Sequence, residues 1–209
     1  MTDVMIVEDQ KMIRGLLESY IQKEPNFRVV FSVSGASLAP ELCKEAKINL
    51  ILMDVQTEHR ENGLCAVQRI KEKNPEIKIV VVTSLVDFDV LKKAKAFGAD
   101  SLWYKDTDEE TLMDVVRRTV SGEHIFPDSP PEVEIGTAKS TEFTKTELIV
   151  LRHLVRGLSY GKIAQEMGIE VTTVKYHVTN MLQKTNFKNK LQLALAVSDA
   201  KFIADLEDI

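Results

Sequence analysis

Five side chains in the first half of this 209-residue chain stand where short apolar runs end, and the three carboxylates among them suit the binding of a hard cation. Glu8 and Asp9 follow DVMIV, Asp54 closes NLILMD, Thr83 closes IKIVVVT and Lys105 follows DSLWY. Carboxylates a few ångströms apart raise one another's pKa, and a divalent cation with oxygen ligands removes that penalty, so Mg²⁺ is the expected occupant. Taken singly, each residue has a plain structural reading: a strand-terminal Asp turns the chain, an acidic pair is solvated, a Lys is a surface charge. Their joint placement on one edge of one sheet is what favours a site.

The elements that must position them are legible. Apolar runs at 3–7, 27–33, 49–54, 77–83 and 100–104 alternate with helix-period stretches near 10–24, 36–46, 62–74, 87–97 and 107–121, as in a parallel sheet of βα units. The fold class expected is α/β: a five-stranded doubly wound parallel sheet of flavodoxin-like order 2-1-3-4-5. In that order strands one and three are neighbours, and the crevice beyond their carboxyl ends, the topological switch point, receives Glu8, Asp9 and Asp54. Thr107 and Glu110 are spaced as a capping box for the fifth helix.

Composition narrows the class. With 44% hydrophobic residues the chain can bury a substantial core. No apolar run approaches the roughly 18 residues that cross a bilayer, and the start, MTDVMIVED, is not a secretory leader, so a cytoplasmic protein without membrane contact is expected. Cys43 and Cys65 lack metal-ligand spacing and read as reduced thiols. The net charge of −5 is uneven: residues 143–198 hold eight Lys or Arg against three acids, an excess of five that suits a basic module facing nucleic acid.

The division expected is 1–122, a linker at 123–142 with three of the six prolines, and a small all-helical domain at 143–209. Its helices read at 145–156, 160–167, 171–184 and 189–203, with a capping box at Thr144 and Glu147 and a stop at Gly157. Ile163, Ala164 and Met167, the turn at Gly168, and the stripe Val174, Val178, Met181 and Leu182 have the pattern of a helix-turn-helix, with Lys175, Tyr176, Thr179 and Gln183 on the opposite face. The last helix carries two apolar faces, one with Leu191 and Leu195 and one with Leu193, Ala196 and Val197, so it is expected to contribute to a homodimer on DNA.

The ordered set of acidic pair, Asp54, Thr83 and Lys105 resembles the receiver domain of two-component response regulators over about the first 120 residues. The resemblance implies that Asp54 takes a phosphoryl group from a sensor histidine kinase. It implies that Glu8, Asp9, Asp54 and the backbone carbonyl of Gln56 hold Mg²⁺, and that Thr83 and Lys105 bind phosphoryl oxygens. There are two departures. The loop DVQTEHRENG is one residue longer than usual before Gly63 and lacks a proline, and Leu102 stands where the family has its aromatic switch residue.

The string FTKTELIVLRHLVRGLSYGKIAQEMGIEVTTVKYHVTNMLQKTNFKNKLQLALAV is similar over its whole length to the LuxR-type effector of the NarL/FixJ family. That likeness implies promoter DNA as partner, with Lys175, Tyr176 and Thr179 at base edges and Thr173, Asn180, Lys184 and Lys190 on phosphates. Tyr160-Gly161 replaces a commoner polar pair, Glu170 a Ser cap, and Lys190 an Arg. The implied function is a transcription factor whose dimerisation and DNA binding respond to Asp54 phosphorylation, not an enzyme beyond its own phosphorylation and dephosphorylation. A phosphorylation-independent regulator with a degenerate receiver is the nearer rival. A flavodoxin-like nucleotide-binding enzyme is disfavoured, because the acids of VEDQKM oppose a phosphate there.

Overall fold

The computed structural model describes residues 1–105 and 109–203, which form two compact units: Met1–Ser84 with Phe88–Ser129, and a second from Pro130 onward. In the first, strands β1 (Thr2–Val7), β2 (Phe27–Val33), β3 (Leu50–Met53), β4 (Lys78–Thr83) and β5 (Ser101–Tyr104) form one sheet in the order β2-β1-β3-β4-β5, all pairs parallel. Helices α1 (Lys11–Gln22), α2 (Ala39–Glu45), α3 (Gly63–Lys73), α4 (Phe88–Ala96) and α5 (Glu109–Val120) connect or follow them. Thr107, half of the expected capping box, lies outside the described residues.

Near-continuous hydrophobicity in the three central strands follows from burial on both faces. Val4, Ile6, Leu50, Leu52, Val80, Val82 and Trp103 pack with Leu17 and Ile21 of α1 and Leu112, Met113 and Val116 of α5. Their alternate neighbours Met5, Val7, Ile51, Met53, Ile79 and Val81 are equally buried, on the other face. The amino end of β5 is fixed by Asp100, whose carboxylate accepts from Lys71 (2.6 Å), Lys78 (3.0 Å) and the Ile79 N–H (2.9 Å).

The second unit holds α6 (Lys145–Val155), α7 (Tyr160–Met167), α8 (Val171–Thr185) and α9 (Lys190–Asp199). Thr144 and Glu147 form the expected capping box of α6, and Gly157 and Gly168 take positive φ (77° and 64°) at the ends of α6 and α7. Glu170 begins α8 without a side-chain cap bond. The last helix stops at Asp199, short of the expected 203. Lys201 adopts φ +50°, its N–H donates to Ser198 O and that of Phe202 to Val197 O, and Phe202 turns back to pack on Phe143 with ring centroids 5.5 Å apart.

The segment 123–142, read as a linker without helical or strand periodicity, has short structured pieces. Ile125 forms a parallel bridge to Ser101 and accepts the Leu102 N–H at 2.9 Å. Further on, β6 (Glu134–Ile135) and β7 (Ala138–Lys139) make a hairpin whose Ile135 and Ala138 are buried, followed by a 3-10 turn at Ser140–Glu142. These strands are too short for a period to register in sequence.

Candidate functional site

β1 and β3 are adjacent, so the residues just beyond them converge. One oxygen each from Glu8, Asp9 and Asp54 lies within 4.8 Å of the others, an arrangement of hard ligands that could hold a divalent cation. Glu8 and Asp54 are buried. Lys105, just past β5, reaches both: its ammonium lies 2.6 Å from Glu8 Oε2 and 2.7 Å from Asp54 Oδ2. Its N–H donates to Thr83 O at 2.9 Å, which places the end of β4 beside the cluster, and Thr83 itself is fully buried.

The electrostatics follow from that crowding. Burial pushes the Asp54 carboxyl up to about 7 against the pull of Lys105, and the charge of Glu8 adds to the rise. Burial also disfavours the Lys105 ammonium, but Asp54 and Glu8 outweigh it and hold that pKa above its ordinary value. The Val55 N–H donates to Asp54 Oδ1 (2.7 Å) and the Gln10 N–H to Glu8 Oε1 (3.0 Å), which fixes both carboxylates. Among the described residues, no other group of three His, Cys, Asp or Glu is placed to share a metal.

The long loop after β3 is pinned to the connection after β2. Thr57 Oγ1 accepts the Ala36 N–H (3.0 Å) and Glu61 accepts the Ser37 N–H (2.9 Å). Gln56 bridges Asn62, but the two bonds closing that bridge, Thr57 N–H to Glu61 O and Gly63 N–H to Val55 O, leave its carbonyl out. Gly63 itself escaped notice in the sequence as a constraint: a Cβ there would stand 1.9 Å from the Asp54 carbonyl oxygen. Leu102 is buried, on the face opposite Trp103. Tyr104, on the same face as Leu102 by alternation, is buried and pairs with Thr83 in the sheet. Strand parity was the signal for it.

In the second unit, Val174, Val178 and Met181 of α8 are buried, while Lys175, Tyr176 (63% exposed) and Thr179 face outward and Thr173 and Asn180 are half-buried beside them. Lys190, the first residue of α9, is exposed. Lys184 is placed differently from the expected phosphate contact. Its ammonium is turned to the buried Glu147 (2.7 Å) and the Glu142 carbonyl (3.0 Å), because a buried carboxylate requires a cation or donors around it. Burial opposes ionisation of Glu147, yet Lys184 and the Thr144 N–H outweigh it and hold the carboxyl below the usual range.

Glu147→Gln should therefore lower stability by about 1–3 kcal/mol near neutral pH, read by urea unfolding. A depressed folded pKa gives stability that is present above the unfolded value and lost as pH falls through the folded one, so the variant should also lose less on acidification. An unchanged midpoint and acid profile would contradict the role given to the pair.

With an acidic site at the switch point of a doubly wound sheet and a helix-turn-helix later in the chain, the chain belongs to the LuxR-type response regulators, the two-component regulators that act as transcription factors. The response regulator receiver domain model matches residues 4–117, and the model of bacterial regulatory proteins of the luxR family matches 141–197. Among curated relatives, the response regulator protein VraR of Staphylococcus aureus strain Mu3 is 30% identical over 197 residues, covering 92% of this chain and 94% of its own. VraR of Staphylococcus epidermidis gives the same identity and coverage. Among solved structures, the RcsB–DNA complex superposes with a TM-score of 0.62 at 16% identity, over 94% of this chain and 98% of RcsB, a likeness of fold.

Proposed function

We propose that Asp54 is the phosphoacceptor of this regulator and that its phosphorylation by a sensor histidine kinase strengthens binding of α8 to promoter DNA. The observation that carries this reading is the buried Asp54 carboxylate at the carboxyl end of β3, bonded to Lys105 at 2.7 Å with Glu8 and Asp9 beside it. In the transfer the phosphohistidine P–N bond breaks as an Asp54 oxygen bonds phosphorus. Lys105 then exchanges its Asp54 contact for a phosphoryl oxygen, and the Thr83 hydroxyl donates to another. Glu8, Asp9, Asp54 and the Gln56 carbonyl would hold Mg²⁺, which would supply positive charge where the phosphoryl oxygens gather. Hydrolysis of the aspartyl phosphate by the same site resets the protein.

The domain limits that go with this reading are 1–122 for the receiver, 123–142 for the connection and 143–209 for the DNA-binding domain. Lys175, Tyr176 and Thr179 approach base edges, while Thr173, Asn180 and Lys190 meet phosphates; Lys184 would have to leave Glu147 to join them. Leu191 (65% exposed) and Leu195 (56%) lie on one face of α9 and are offered as the homodimer contact on DNA. No described helix is long and apolar enough to cross a membrane, in keeping with a cytoplasmic site of action.

Two measurements test the reading. Intact mass after incubation with acetyl phosphate should show one added phosphoryl group with Mg²⁺ and none in EDTA; uptake in EDTA would count against the cation site. Lys175→Ala and Tyr176→Ala should relax sequence preference by about 1–3 kcal/mol in operator selection. Equal discrimination by both variants and the wild type would remove α8 as the reading element.

A further inference from the structure

The first residues of α7 and α9 meet. Tyr160 opens α7 and Lys190 opens α9, and the Lys190 ammonium lies over the Tyr160 ring, 4.6 Å from its centroid. Both helices start from capped ends, with Ser159 accepting the Lys162 N–H and Asn189 the Gln192 N–H. The remaining amino-terminal N–H groups carry partial positive charge, so the surroundings of Lys190 favour an anion. A lysine on a surface loses much rotamer freedom when it docks on a phosphate. The half-buried ring takes hold of one side of the exposed ammonium and restricts that freedom before DNA arrives, while the other N–H donors stay available. At Gly161 a Cβ would meet nothing within 4 Å, so the surface beside the ring is open to an approaching strand.

We propose that Tyr160 is a positioning residue for DNA binding: its ring holds the Lys190 ammonium in place at the start of α9, ready for a backbone phosphate. The proposal rests on the reading of Lys190 as a phosphate contact. It assigns a function to the aromatic residue that sets this chain's α7 apart from the commoner polar start.

The test is fluorescence anisotropy of the full-length protein on a labelled mixed-sequence duplex across a KCl series, with circular dichroism confirming that each variant is folded. Phosphate contacts are sequence-independent, so no operator is needed. Lys190→Met should weaken binding and reduce the magnitude of the log K against log salt slope by about 0.9. Tyr160→Phe keeps the ring and should bind as the wild type does. Tyr160→Leu should lose about two- to five-fold in affinity, and none of that loss should appear when Lys190→Met is already present. If Tyr160→Leu costs as much in the Lys190→Met background, Tyr160 acts without the lysine and the proposal is overturned. It is equally overturned if Tyr160→Phe is as weak as Tyr160→Leu, since the hydroxyl would then be the active group. Wild-type binding and slope for Lys190→Met would instead overturn the phosphate reading beneath it.

Discussion

Asp54→Asn should take up no phosphoryl group from acetyl phosphate under conditions in which the wild type is expected to gain one, because the amide has no nucleophilic oxygen to offer phosphorus. Loss should be complete, since Glu8, the other buried carboxylate of the cluster, is committed to Lys105 and the Gln10 N–H. A second signature is thermodynamic. The buried Asp54 holds its proton up to about pH 7, whereas an unfolded Asp releases it near 3.8, so across that window the folded state binds more protons. Stability of the metal-free wild type should fall as pH rises from about 4 to 7 and level off above. Asp54→Asn should remove that slope. Mg²⁺ should raise the wild-type melting temperature, most where Asp54 is ionised, and leave the variant nearly unmoved. An Asp54→Asn protein that is still phosphorylated, or whose pH profile matches the wild type, contradicts this account of the site.

Gly63→Ala is the second large effect expected. The added methyl would stand 1.9 Å from the Asp54 carbonyl oxygen and 3.2 Å from Met53 Sδ, distances that only a backbone shift can relieve. Since Gly63 starts α3 and its N–H is bonded to Val55 O at 2.8 Å, the shift falls on the Asp54 peptide. Overpacking against backbone should cost about 3 kcal/mol or more in receiver stability, seen as an earlier urea transition. The phosphoryl uptake rate should fall with it. A variant that unfolds and phosphorylates as the wild type does would show that the helix start can move without disturbing Asp54.

Both effects arise where sequence was most readable. The runs ending at Val7, Asp54 and Thr83 were legible because central parallel strands are buried on both faces, and the switch point then places Glu8, Asp9 and Asp54, with Lys105 after the edge run 100–104, without knowledge of any contact. Gly63 was visible as a loop end but not as a near-contact, since closeness to Asp54 depends on how a ten-residue loop folds back. The structure of 123–142 was hidden for a related reason. Ile125 is ordered by Ser101, and the β6–β7 turn at Gly136 (φ +63°) fits against Thr185 O, where a Cβ would lie 2.1 Å away. Two-residue strands and contacts this distant in sequence leave no period to read.

The same limit separates the residues proposed to face DNA. Exposure of Lys175, Tyr176 and Thr179 follows from helical period alone, since Val174, Val178 and Met181 fill the buried stripe. Lys184 shares their helix but pairs with Glu147 from α6, and Lys190 rests on Tyr160 from α7. Such partners lie 30 or more residues apart, and no local pattern announces them.

In the proposed switch, charge placed on Asp54 controls the helix-turn-helix. The most direct measurement is the affinity of full-length wild type and Asp54→Asn for a selected operator duplex, each before and after incubation with acetyl phosphate and Mg²⁺, with intact mass taken on the same samples. The phosphorylated wild type should bind more tightly, with Asp54→Asn unmodified and unchanged in affinity. Equal affinity of phosphorylated and unphosphorylated wild type would contradict it, leaving a DNA-binding protein whose receiver does not act as its switch.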